Sequence, residues 1–460
     1  MSTGFMTLGY LSRRASRGWF SEVVSAMVAH PLVTMVVIAA GLEQAISYQK
    51  VYLYHAVVAL GYLAVFLTGF KIKRRAWHAW IAVFGGLVIW VLLWPTIRYD
   101  TVEALKYTVV IFVGLAGTLL LFLRIRSIGA LKAAVGGLVA VEVVNAVFGY
   151  LEYFDLYHLE SKTRWLVDAG LDTAGLASIE RIPSAFSVNP NNFAIAMLIP
   201  IAFAVAWWLK RQRGRWWAII GLLPFTVVVF ILTESRGAGV GLVLLLTSAG
   251  VWWQRMRLIR AIVFAGVLLM AILLIVPLAK NTLGNTSTLS FLDPVALQEP
   301  VSLVSYALSH PNEAVNWTYE QNGSIGVRIA WIIESFQAVI QTGGLGLGPG
   351  GLVHIHNMYG EVLANAGVLG FVILISTGFW LIRKSFRLSL LSTPLLGTVG
   401  LACFLFWIGF SIAVTTVSTI FYFLPMHMML GISLAAFNLQ SMPGVVNQTA
   451  RIRYQTRWRL

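Results

Sequence analysis

The sequence predicts an all-α polytopic membrane protein with about twelve transmembrane helices. Two observations carry that expectation. The 460-residue chain is 58% hydrophobic and only 11% charged, with a mean hydropathy of +0.80, too apolar for a soluble globule. Apolar windows of roughly twenty residues, the length that crosses a bilayer, also recur along its whole length.

Taken in order, the windows fall near 25–44, 51–70, 77–95, 107–123, 133–151, 192–209, 216–233, 237–253, 261–279, 358–382, 390–413 and 418–438. Pro95, Pro224, Pro394 and Pro425 lie in or beside them and are expected to kink packed helices. Many of the 17 tryptophans, such as Trp77, Trp94, Trp207, Trp216 and Trp252, sit at window edges and read as an aromatic belt, not as sugar-binding platforms. The single cysteine, Cys403, excludes an internal disulfide. Arg13, Arg14 and Arg17 near the start are followed by no small-residue cleavage site, so a cleaved signal peptide is not expected.

A net charge of +15 invites a nucleic-acid reading, but its distribution argues against one. Of the 33 Lys and Arg residues, 24 fall in seven short clusters, among them Lys71–Arg75, Lys210–Arg215 and Arg383–Arg387. The alternate connections hold acids such as Asp155, Glu160, Asp168, Asp293 and Glu320. This is the positive-inside pattern, which puts both termini in the cytoplasm and two long connections, 155–192 and 280–357, outside. The whole chain, 1–460, reads as one transmembrane domain, with membrane lipid as its solvent and no nucleic-acid partner.

Long connections in compact membrane proteins are usually ordered and functional. Within the second, Ile325–Thr342 has helical spacing, with Val327, Trp331, Phe336 and Val339 apolar and Arg328, Glu334 and Gln337 polar; it predicts an interfacial helix. The stretch Gly343–Gly370 then runs from a glycine-rich turn through His354, His356 and Asn357 into another apolar window. The glycine run lacks the Gly-Lys-Ser/Thr ending and the preceding strand of a nucleotide loop.

Candidate site residues are weighed against plainer roles. Arg236, in TESRGAGVG, opens a window at the outer mouth of a helical hairpin, where Gly237 and Gly239 allow close packing. A pair with Glu234, or snorkelling to the interface, accounts for it equally well. Arg328 fits a solvated helix face. Arg181 and Asn189 fit a turn built around Pro190. His354 and His356 have no carboxylate or cysteine at ligand spacing, so a metal site is not expected. What favours chemistry is the combination: histidine takes a proton near neutral pH, and arginines grip phosphate oxygens.

In order, Ser187-Val188-Asn189-Pro190-Asn191-Asn192, Ser235-Arg236-Gly237, Gly326-Val327-Arg328 with Trp331, Gly346-Leu347-Gly348 and His356-Asn357 running into Glu361–Gly370 resemble the O-antigen ligase and polymerase superfamily of bacterial envelope glycosyltransferases. The resemblance implies a GT-C type fold in the bacterial inner membrane and a cofactor-free, metal-independent, inverting transfer at the periplasmic face. The donor would be an undecaprenyl-pyrophosphate-linked glycan and the acceptor, for a ligase, a sugar of the lipid A core. It implies His356 as the catalytic base, Arg236 and Arg328 on the donor pyrophosphate with Arg181 beside them, and His354, Asn357, Glu361 and Asn189 in support. The His-x-His-Asn run and the dominant second outward connection favour a ligase over a polymerase.

Two rivals stand against this. A lipid-linked oligosaccharide flippase would line a central cavity with charge, whereas mid-window acids here are chiefly Glu43, Glu142 and Glu361. A shape-and-division-type peptidoglycan polymerase would rest on an outward aspartate, and Asp155, Asp168, Asp172 and Asp293 lie in no recognisable motif.

Overall fold

The computed structural model describes residues 19–42, 47–48, 51–67, 101–157, 184–187, 190–210, 224–226, 228–233, 235–254, 324–348, 351, 357–391, 393–416 and 423–441. Apart from an antiparallel pair of two-residue strands, β1 (Ser47–Tyr48) and β2 (Val51–Tyr52), the regular structure of these residues is helical. The helices are α1 (Trp19–Ala29), α2 (Pro31–Gly41), α3 (Leu53–Leu67), α4 (Thr101–Arg124), α5 (Ile128–Tyr153) and α6 (Pro190–Lys210). They continue with α7 (Arg236–Gln254), α8 (Ser324–Gln341), α9 (Met358–Ser389), α10 (Pro394–Ala413) and α11 (Leu424–Gln440).

Helices α5, α6, α9 and α10 are each long and apolar enough to cross a bilayer, and α1 with α2 passes as one span bent by 104°. The protein is an α-helical integral membrane protein. The predicted windows 77–95 and 261–279 lie outside the described residues.

The window at 25–44 is not one straight span, and proline chemistry gives the reason. Pro31 has no N–H to offer and its ring collides with the carbonyl four residues back, that of Met27. Thr34 repairs the break: its hydroxyl donates to Met27 O at 3.0 Å and His30 O at 3.1 Å. The carbonyls freed at the bend are thus satisfied inside the protein, as an apolar solvent requires.

Helix α10 is the hub of the second half: α6, α7 and α9 all pack along it. Helix α5 gathers α1 and α2, while α11 lies on α4. The halves are joined where Phe193 of α6 packs over Gly149 of α5 and where Trp407 of α10 donates to the Ser433 hydroxyl of α11 at 3.0 Å. At one end of the bundle the last residues of α6, α7 and α9 meet: Lys210 Nζ donates to the Ser389 carbonyl, and Trp252 Nε1 donates to the Ser389 hydroxyl at 3.1 Å. At the other end lie the last turn of α5 and the first turns of α6, α7 and α9. Past its first turns, α9 turns Val368, Leu369, Val372, Phe379 and Trp380 outward, an apolar surface suited to hydrocarbon.

Candidate functional site

The glycine run that ends α8 is a brace on a broken helix. Helix α9 is interrupted at Gly367, whose backbone turns to φ 65° and ψ −167°. That turn would orphan the carbonyls just before it, which is costly where no water reaches. The glycine loop supplies the missing donors. Leu347 N donates to Ala364 O at 2.7 Å and Gly348 N to Asn365 O at 2.9 Å, while Val368 N donates back to Gly344 O at 3.0 Å.

Only glycine fits at the centre of this contact. Gly346 has φ 87°, and a Cβ there would stand 2.4 Å from the Gly367 nitrogen; one on Gly367 would stand 2.3 Å from Gly344 O. Thr342 fixes the approach, since its hydroxyl donates to Ala338 O at 2.7 Å and accepts from Gly346 N at 2.8 Å. Helix α8 therefore ends on the same point at which the first segment of α9 ends, and Ala338 packs against Ala364 between them.

At its start α9 is capped by Asn357. In extended geometry (φ −158°, ψ 110°), its side-chain oxygen accepts from Tyr359 N at 3.0 Å and Gly360 N at 3.3 Å. Glu361 is fully buried in the first turn, where a helix start favours negative charge. The Tyr359 hydroxyl donates to Ser411 O at 2.6 Å and so pins this start to the end of α10.

Helix α7 reaches the same place. Thr233 closes the π-helical turn Val228–Leu232, with its N–H on Val228 O at 3.1 Å, and Arg236 is the first helical residue after Ser235. Five residues on, α7 crosses α10 almost backbone to backbone. A Cβ on Gly241 would meet Gly409 O at 2.5 Å, and one on Gly409 would meet Gly241 O at 2.8 Å. Arg236 lies about 7.5 Å along the axis from that crossing. Ser411, which holds Tyr359, is two residues beyond it. The first turns of α7 and α9 are thus gathered on one stretch of α10.

A third piece comes from α5. Glu152, in its last turn, is 4% exposed, and its Oε2 accepts from Ser184 N and Ala185 N, both at 2.8 Å. The segment it holds, 184–187, runs up to the start of α6, where Pro190 takes the first helical position.

Among the predicted site residues, Asn357 and Glu361 stand together in the first turn of α9. Arg236 opens α7 and Arg328 is the fifth residue of α8, both placed by their helices alone. Arg328 precedes Ala338 by ten residues, about 15 Å, and Asn357 precedes Ala364 by seven, about 10 Å. Arg181, Asn189, His354 and His356 lie outside the described residues. A close approach of the same helix to α10 is made at Gly241. Sequence reasoning did not single out Glu152 or Tyr359. An acid at the edge of an apolar window signals the first; nothing local signals the second.

No curated protein matches the chain. Residues 222–375 match the family described as O-antigen ligase, a stretch that includes Arg236, Arg328, His354, His356, Asn357 and Glu361 but not Arg181 or Asn189. The similarity of residues 222–375 to that family supports the O-antigen ligase and polymerase superfamily as the one this chain resembles.

Proposed function

We propose that the protein is an O-antigen ligase of the bacterial inner membrane, moving a glycan from undecaprenyl pyrophosphate to a sugar hydroxyl of the lipid A core at the periplasmic face. His356 takes the proton of the acceptor hydroxyl, whose oxygen attacks the anomeric carbon of the donor from the side opposite the pyrophosphate. The bond from that carbon to the pyrophosphate oxygen breaks, the configuration inverts, and undecaprenyl pyrophosphate leaves with the negative charge. Arg236 and Arg328, with Arg181 beside them, hold that charge as it develops. No metal or cofactor enters the scheme.

The observation that carries the reading is the gathering of the α7 start, at Arg236, and the α9 start, at Asn357, on Gly409–Ser411 of α10. Two helix starts side by side offer partial positive charge to an anion. His356 directly precedes the cap residue in sequence. The connection 280–357 lids the polar chamber in this reading.

Purified protein in detergent with chelator, given undecaprenyl-pyrophosphate glycan and lipid A core, is expected to form product that His356→Ala and Arg236→Ala both lose. A donor glycan that lengthens while core stays unmodified would assign a polymerase instead. Labelled lipid crossing a vesicle bilayer, with no transfer at all, would assign a flippase.

A further inference from the structure

Glu152 is an expensive residue where it stands. Its carboxylate is removed from water, and it occupies the last turn of α5, where the helix presents the negative end of its dipole. What the side chain supplies is reach: one oxygen spans to two successive main-chain N–H groups, both at 2.8 Å.

The captured segment is otherwise shaped for this contact. Ala185 sits in the left-handed region at φ 48°, and its N–H and that of Ser184 both reach the carboxylate. Ser187 N closes the turn on Ser184 O at 2.9 Å. Phe186 packs on Phe148, one helical turn below Glu152, with ring centroids 4.6 Å apart. All four residues are buried, from Ser184 at 1% to Ala185 and Phe186 at 4%.

We infer that Glu152 is a positioning residue for the donor side of the site: it fixes residues 184–187 against α5 and so sets how the chain approaches α6. Arg181, assigned above to the donor, and Asn189, placed above among the supporting residues, flank that segment in sequence, so the inference rests on the proposed transfer. Its substance is geometric: an acceptor of the right length is needed to reach both N–H groups.

Two mild variants separate length from charge. Glu152→Gln keeps an oxygen at the same reach; Glu152→Asp keeps the charge and withdraws it by one methylene. Each is combined with Ser187→Cys and Cys403→Ser, so that a water-soluble maleimide reports whether residue 187 stays covered. The parent and Glu152→Gln are expected to label slowly and to share a donor KM. Glu152→Asp is expected to label about tenfold faster and to raise donor KM about tenfold with kcat little changed. The reverse order, with Asp protected and Gln exposed, would make the charge the working feature and overturn the inference. So would faster labelling of Glu152→Asp with an unchanged donor KM. Should the parent transfer nothing, the ligase reading falls and the donor role with it, while the labelling order still decides whether Glu152 holds the segment.

Discussion

Gly346 and Gly367 touch backbone to backbone: a Cβ on the first would lie 2.4 Å from the amide nitrogen of the second, and 2.8 Å from the Asn365 carbonyl oxygen. This contact joins the end of α8, which carries Arg328, to the break in α9, whose start follows His356. The end of α8 and the break in α9 are thus tied at one mechanical point.

Alanine at either glycine is therefore expected to cost more than its backbone conformation alone. A left-handed alanine costs about 1–2 kcal/mol, and here the Cβ also meets main-chain atoms that have no rotamer to yield. Gly343 is the control, with φ 61° and nothing within 4 Å of a Cβ. Thermal melts in detergent should rank Gly343→Ala above Gly346→Ala and Gly367→Ala, and the latter two should also lose transfer. Equal melting of all three would show that the brace is not rigid.

Asn357, one of the expected supporting residues, gives its side-chain oxygen to the helix start. Its oxygen accepts from Tyr359 N and Gly360 N. Asn357→Ala should lower stability by about 1 kcal/mol, as lost caps do, whereas Asn357→Asp and Asn357→Ser should retain most of it. If activity follows the same order as stability, the residue acts through the cap. Loss of transfer in Asn357→Asp with unchanged melting would instead give the amide a part in the chemistry.

Lys210 tests the opposite end of the bundle. Its ammonium donates to Ser389 O in the last turn of α9 and lies 4.9 Å from the Trp252 ring centroid, a cation at the negative end of a helix dipole. Lys210→Met should loosen the junction of α6, α7 and α9, by about 1–2 kcal/mol in melting, and leave donor KM in place. A changed KM would mean that the two ends are coupled through these helices.

The membrane class was legible because bilayer solvation writes itself into composition, and so were most single helices. The spacing predicts a helix over Ile325–Thr342, and α8 runs Ser324–Gln341. The broken helices were not legible. Nothing in an apolar window shows that Met27 O will be satisfied by Thr34, or Asn365 O by Gly348, because those bonds depend on where a different segment lies. The glycine run shows its irregular backbone in sequence but not its partner: its spacing suggests a turn toward His356, and the structure makes it a brace on Gly367. Asn357 could have been read as a cap from its place before Met358–Glu361, the kind of signal local chemistry does carry.

The crossing of Gly241 and Gly409 gives the sharpest test of how Arg236 is placed. The carbonyl of each stands where the other's Cβ would be, so α7 lies as close to α10 as two helices come. Gly241→Ala must push the helices apart, and Arg236, about 7.5 Å away along the same rigid helix, moves with it. The Tyr359 contact to Ser411 holds α9 to α10 independently of that crossing. The expected outcome is a protein that melts below the parent, as a clash with main-chain atoms requires, and that binds donor poorly where it remains folded, because one arginine has shifted relative to the start of α9. Measured by donor KM, Gly241→Ala should resemble Arg236→Ala, and the double variant should be no worse than Arg236→Ala alone. Additive losses would place the effect of Gly241 somewhere other than the arginine.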